Sequence, residues 1–462
     1  MDYLAKERKL MEKERRINKY EIDMCNGAIM RKLIAFSIPL VLSGNLQFLF
    51  NAVDIIVVGK FAGSNALAAV GATTALINVL ITFFMGISIG ANVMAGRFFA
   101  ARKEKQMSEL VHTAITFAII SGVIIAITGW ISSDFLLQLM DTPENIIDDA
   151  ALYMRIYLSG MPFFMMYNYG AAILRAVGDT KRPLMFLVVA GILNACLNVV
   201  LVVFFHLGVI GVAVATMFSE FISCILVLRC LCKTEGSYRL DFRKLTMKRV
   251  YVKELLQIGM PAGIQSVVIN FSNVLLQSSV NSFGSLAMAG YTAANNIFGF
   301  LYATVNAFTQ TCMSFISQNY GQQKWKRMDK ILTECILLSV AVTLTLGTAV
   351  YVFGPQILGV YTTSPEVVEW GMEVLLYTTV TYFICGIMDL IPGAMRGIGY
   401  SAVPMIISII GTVGVRIVWI YGIFPHHHTI DFLFISYPLS WIITVVMQAV
   451  CFYFVRKKVY GR

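Results

Sequence analysis

The sequence predicts an all-α integral membrane protein, with twelve transmembrane helices in two parallel six-helix repeats (an N lobe and a C lobe) around a central cleft. Three observations predict it. Hydrophobic residues make up 58% of the chain and charged ones 13%, about half the charged share of a soluble domain. The apolar residues fall in twelve blocks separated by short loops. One loop is written twice, as LRAVGDTKRP at 174–183 and as MRGIGYSAVP at 395–404, 221 residues later.

The blocks lie at 33–57, 67–96, 111–130, 152–174, 184–206, 209–231, 256–279, 287–316, 331–353, 371–395, 402–424 and 431–455. A block of ~20 apolar residues crosses a bilayer as a helix. In lipid every backbone amide needs a partner within its own segment, which selects helices or closed barrels. A barrel would show alternating segments of ~10 residues, and the blocks do not alternate. The expected organisation is a cytoplasmic N-terminal segment at 1–32, an N lobe at 33–231, a cytoplasmic linker at 232–255, a C lobe at 256–455 and a cytoplasmic tail at 456–462.

The net charge of +10 is distributed as a membrane protein distributes it. Lys and Arg gather before span 1 and after spans 2, 4, 6, 8 and 12, whereas 132–150 holds four Asp, one Glu and no basic residue. Positive loops stay in the cytoplasm, so both termini are expected inside, and an even span count agrees. This pattern argues for a lipid bilayer as partner and against nucleic acid. Residues 1–32 read as a charged helix near the membrane surface, with no apolar stretch of signal-peptide type. The nine Cys show no paired framework, and most sit inside spans, so neither disulfides nor a metal site is expected.

The offset of 221 holds beyond the doubled loop. ALAAVGA at 66–72 meets AMAGYTA at 287–293, and GRFFAARKEKQM at 96–107 meets SQNYGQQKWKRM at 317–328. Six spans per half return the chain to the same side, so the halves are parallel repeats about an axis along the membrane normal. Two such lobes leave a cleft that rocking exposes to each side in turn, which is the physics of a carrier. In the doubled loop, Gly178 and Gly399 allow the turn, Pro183 and Pro404 start the next helix, and Arg175 and Arg396 favour the helix C-termini.

NAVDIIVVGKFAGSNALAAVG, LRAVGDTKRP, NACLNVVLVVFFHLGVIGVAVAT and ISQNYGQQK resemble the multidrug and toxic compound extrusion (MATE) family over about 38–453. SYPLSW at 436–441, and Gln265 where another branch places an acid, are most similar to the DinF-like prokaryotic branch. The resemblance implies a secondary active exporter of organic cations and other toxic compounds, driven by H⁺ or Na⁺ through alternating access. It also implies no cofactor, a prokaryotic plasma (inner) membrane and no enzymatic activity. A monomer is expected.

Ionisable residues inside a membrane are costly and mark function by default. Three acids lie inside spans: Asp54, Glu220 and Asp389. The resemblance assigns Asp54 to coupling, where it takes a proton from outside and gives it up inside. The alternative is an acid near a helix end, paired with Lys60. Asn194 and Asn198 share one face of span 5 and, with Thr216 in span 6, match the family's cation site. The second of these is Asp in the family. Asn198 still offers a carbonyl oxygen to Na⁺ but cannot carry a proton. The alternative for all three is hydrogen bonding between helices. Asp389, the mate of Asn168, matches a cation-binding acid of another branch. Glu220 carries no family role and reads as a pathway residue or as an acid satisfied between helices. Arg416 needs a partner in span 11, and Asp389 is the candidate.

Cleft-lining candidates on spans 1, 2, 7 and 8 are Gln47, Asn51, Asn78, Gln265, Asn270, Asn273 and Gln277. Some of the 24 Met, 31 Phe and 20 Tyr are expected to join them, because Met adapts to varied shapes and aromatic faces attract cations. His426 to His428 read as a solvated loop. The alternative function is a flippase for lipids or lipid-linked oligosaccharides, which would want several basic residues in the cleft. A nucleophile elbow, a zincin helix and a phosphate loop are all missing from the sequence, which argues against an enzyme.

Overall fold

A computed structural model describes residues 20–461. The twelve expected ranges are occupied by helices: α1 (Ile29–Ala62), α2 (Ser64–Ala100), α3 (Glu104–Leu139), α4a (Glu144–Ser159) with α4b (Met161–Ala176), α5 (Lys181–Phe204), α6 (Gly208–Lys233), α7 (Arg249–Asn281), α8 (Ser285–Gly321), α9 (Trp325–Val352), α10a (Pro365–Val380) with α10b (Tyr382–Gly397), α11 (Ala402–His426) and α12 (Ile430–Tyr460). Among the described residues nine of these are long and apolar enough to cross a membrane, and ten when the bent pair α10a–α10b counts as one. The halves of α4 are 16 residues each. α8 is long enough but is diluted by Asn295, Asn296, Asn306, Gln310, Gln318 and Asn319. Those polar positions suit a helix that faces protein and a cleft more than lipid.

Most of the expected N-terminal helix falls on residues 1–19, outside the described residues. The rest of it is corrected: residues 20–28 are turn, bend and irregular chain, and α1 begins at Ile29 rather than at 33. The expected linker is also shorter than 232–255. α6 continues to Lys233, and Arg249 already starts α7, whose first turns bury Leu255 while Arg249 and Lys253 face outward. Charge made 249–255 look like loop, but it is an amphipathic helix start.

The backbone repeats as the sequence does. Positive φ recurs at Gly63 (90°) and Gly284 (95°), at Arg102 (54°) and Gln323 (57°), and at Gly178 (104°) and Gly399 (90°). Each pair is 221 residues apart. The break in the fourth helix at Gly160 and the break in the tenth at Thr381 keep the same offset. Arg102 and Gln323 adopt a conformation that few side chains accept, so the two halves share a chain path and not only a hydrophobic pattern.

α1 passes from one lobe to the other. Its first half, Ile29, Leu33, Phe36 and Leu40, packs in a core with Phe308, Phe315, Ile331 and Leu390 of the second repeat. Its last residues, Val57 and Val58, pack with Ala66, Ala69, Tyr153 and Val212 of the first. The lobes meet at the face that carries both described termini. There α2 and α7 approach through Gly86, Gly90, Gly259 and Gly263. A Cβ on Gly259 would overlap Ile87, and one on Gly263 would lie 2.5 Å from Phe83 O. Small residues four apart allow this backbone contact. Toward the opposite face the polar residues Asn51, Asn78, Gln277, Asn295 and Asn296 are exposed. The close backbone contact of the lobes lies at the terminus-bearing face.

Candidate functional site

The polar residues of the first lobe converge where α1 meets α5. Gly191 of α5 lies against the Phe50 ring, where any Cβ would overlap it. That close approach brings Asp54 to Asn198. Asn198 Nδ2 donates to Asp54 Oδ1 and, at 3.2 Å, to Asn194 Oδ1. Asn194 Nδ2 in turn donates to Thr216 Oγ1 at 3.3 Å. Asn198 is fully buried, and its Oδ1 has no hydrogen-bond partner among the described residues. An unmet buried acceptor is costly, and here it stands beside a carboxylate. The donor set is a carboxylate, two amide oxygens and a hydroxyl, which are hard oxygen ligands suited to a small cation. α5 switches to wider, π-type turns at Val199–Phe204, directly after Asn198, and a similar segment recurs at Trp419–Ile423. Such π-type turns favour functional positions.

Among the described residues Asp54 forms no ion pair with Lys60, which is exposed. Glu220 stands against the helix break. A Cβ on Gly160 would lie 2.8 Å from Glu220 Oε2, and the carboxylate has no hydrogen-bond or ion-pair partner among the described residues. Tyr153 and Tyr157, whose rings are 6.0 Å apart, are within electrostatic reach of both Asp54 and Glu220. The sequence reading missed both tyrosines. Their i, i+4 spacing on α4a is the signal that could have found them.

The second lobe differs. Arg416 is 3% exposed and does not pair with Asp389, which corrects the expected partnership. It donates to Asn273 Oδ1 at 3.1 Å and to Ser272 Oγ at 3.5 Å, and its guanidinium lies 4.2 Å from the Tyr437 ring centre. Charge and lobe suggested the acid, but an amide and an aromatic face satisfy the guanidinium equally well. Arg416→Lys would lose the planar stack. It is expected to cost about 1–2 kcal/mol, read as a lower melting temperature in detergent. Asp389 is half-buried and has neither hydrogen bond nor ion pair among the described residues, and the charge that acts on it is Arg396. Arg396 donates to Gln265 Oε1 at 2.6 Å.

The cleft candidates therefore divide. Asn51, Asn78 and Gln277 are exposed, and Gln47 and Asn270 are half-buried. Gln265 is buried on Arg396, and Asn273 is held by Arg416, so neither faces open space freely. In the outer loop His428 Nε2 lies 2.9 Å from Ser282 Oγ, and its ring stacks on Phe283. The described residues hold no group of three His, Cys, Asp or Glu placed to bind a metal.

Two helical repeats facing each other across a polar cleft, with buried charge in each, define a membrane protein of transporter architecture. The chain belongs to the MatE family. That family's pattern matches it twice, at residues 39–200 and 261–421, so the two matches start 222 residues apart. The chain is 30% identical over 440 residues to the probable multidrug resistance protein YoeA of Bacillus subtilis, covering 93% of this chain and 95% of that protein. It is 25% identical over 389 residues to the probable multidrug resistance protein YpnP of the same organism, covering 84% and 87%. A crystal structure of a MATE protein in complex with MaL6 superposes with a TM-score of 0.89 at 21% identity, over 95% of this chain and 99% of that one.

Proposed function

We propose that the protein is a multidrug exporter of a prokaryotic plasma membrane, with both termini in the cytoplasm. It acts as a monomer of twelve crossings and exchanges organic cations for H⁺ or Na⁺ by alternating access. The observation that carries this reading is the buried Asn198 Oδ1, unpartnered among the described residues, beside Asp54. In this reading the coupling cation and the drug compete for the same negative charge. A cation entering from outside neutralises Asp54 and displaces the drug. Rocking of the lobes then exposes the site inward, and loss of the cation restores the charge that attracts the next drug. Asn194, Asn198 and Thr216 hold the cation's oxygens, Glu220 supplies a second titratable group at the α4 break, and Asp389 and Arg416 set the field of the facing lobe.

The test is ethidium efflux in proteoliposomes under an imposed H⁺ or Na⁺ gradient. Transport under either gradient supports the reading and names the ion. No movement of any organic cation under either gradient would overturn it and favour a flippase for lipids or lipid-linked oligosaccharides.

A further inference from the structure

We propose that residues 20–27 form a latch over the cytoplasmic mouth, seated on the C lobe and released by the N lobe when that side opens. The proposal rests on the alternating-access reading above. The segment runs as turn, bend and irregular chain, so its backbone groups need partners elsewhere.

The C lobe supplies most of them. Asn319 Nδ2 donates to Met24 O at 3.1 Å, and Lys324 Nζ donates to Cys25 O at 2.9 Å. Arg327 donates to Gly27 O at 3.0 Å and to Asn26 O at 3.1 Å. Met24 is fully buried and Cys25 is 4% exposed. The N lobe holds the segment by less. Ile22 N donates to Gly178 O at 3.2 Å, the hydroxyl of Tyr238, a linker residue packed in the N-lobe core, donates to Glu21 Oε1 at 2.5 Å, and the Arg182 guanidinium lies 5.3 Å from the Tyr20 ring centre.

This arrangement explains why both copies of the doubled loop need glycine. Gly178 has φ 104°, and a Cβ there would stand 2.6 Å from the Ile22 backbone. Its mate Gly399 has φ 90°, and a Cβ there would overlap the guanidinium of Arg97, which reaches across from the N lobe and donates to Gly397 O at 3.3 Å. Each copy of the loop receives an element that crosses the lobe boundary. When the lobes part on this side, both contacts must break. Charge-assisted bonds are the stronger ones; Lys324 and Arg327 make them to the carbonyls of Cys25, Asn26 and Gly27, against that from Tyr238 to Glu21, and the segment continues into the half of α1 that packs in the C-lobe core. The latch therefore travels with the C lobe, and the line of separation runs between Ile22 and Gly178.

Cys25 reports the latch because it sits at the seam: its Sγ lies 3.7 Å from Gln318 Oε1, and Gln318 Nε2 donates to Ala176 O of the N lobe at 2.7 Å. The full-length protein in inside-out membrane vesicles is treated with a maleimide, and modification of Cys25 is read by peptide mass spectrometry. Cys25 is expected to be protected at rest and modified faster during gradient-driven ethidium transport. Tyr238→Phe removes an N-lobe donor far from the membrane site. It is expected to raise the resting rate about tenfold, the effect of one lost hydrogen bond to a charged acceptor on an opening equilibrium. Gly178→Ala is expected to do the same through the Ile22 clash. Ready modification of Cys25 at rest overturns the latch, and so do equal resting rates in wild type and both variants. A rate unchanged by turnover while ethidium moves overturns its release in the cycle. If ethidium is not transported, the export reading fails, and the resting comparison still decides whether the segment is docked.

Discussion

Asp54→Asn is expected to abolish gradient-driven accumulation of organic cations while leaving the fold intact. Asn is close to Asp in size and can keep the contact with Asn198, so the convergence of α1, α5 and α6 survives. What is lost is the single titratable charge in the Asp54–Asn198–Asn194–Thr216 chain. Without it, a cation arriving from outside gains no site that differs between drug-bound and drug-free protein. Coupling free energies of this kind amount to ~1–3 kcal/mol, or about 5–150-fold in affinity, and the imposed gradient should lose that leverage. The check is ethidium efflux in proteoliposomes, with binding measured at equilibrium in the same preparation and the melting temperature as control. Coupled efflux that persists at the wild-type rate would exclude Asp54 as the coupling group. The coupling would then pass to Asp389 in the second lobe, a half-buried acid whose carboxylate has no hydrogen bond among the described residues.

These residues, which the structure brings together, were legible because lipid makes polar residues conspicuous. An acid, two Asn and a Thr stand out in apolar runs, and helical spacing alone puts Asn194 and Asn198 on one face. Helix ranges were legible for the same reason, though charged and polar helix ends were cut short, by up to nine residues where 111–130 stands for Glu104–Leu139. The misses have physical causes too. Arg416 was paired with Asp389 by charge, yet a guanidinium is satisfied as well by Asn273 and the Tyr437 face, and sequence does not weigh geometry against charge. Lys324 and Arg327 look like ordinary positive-inside residues, and their bonds to backbone carbonyls of residues 24–27 leave no periodic trace. The GISIG and GMPAG runs at 86–90 and 259–263 were readable as small residues four apart, but only their mutual contact gives them a role.

That contact sets the second large effect. Gly86→Ala and Gly263→Ala are each expected to destabilise the closed terminus-bearing face by about 1–3 kcal/mol, the usual penalty for overpacking. A Cβ on Gly86 would fall on the Gly263 backbone, and one on Gly263 would press on Phe83 O. Both obstacles are helix backbone, which cannot rotate aside as a side chain can. Helix propensity works the other way, because Ala is better than Gly inside a helix by about 1 kcal/mol. Gly71, also in α2, separates the two terms, since a Cβ there meets nothing within 4 Å. Gly71→Ala should therefore leave the melting temperature unchanged or raise it, while the two seam variants lower it. They should also bias the protein toward the state open at the terminus-bearing face, seen as faster maleimide modification of Cys25 without any change to the latch's own residues. If Gly86→Ala and Gly263→Ala melt like Gly71→Ala, the α2–α7 seam is loose in the membrane, and the closed end is held by the latch, by Arg97 and by the bonds to the N lobe of Ser314 and Gln318 of α8 and of Gln322 just after it.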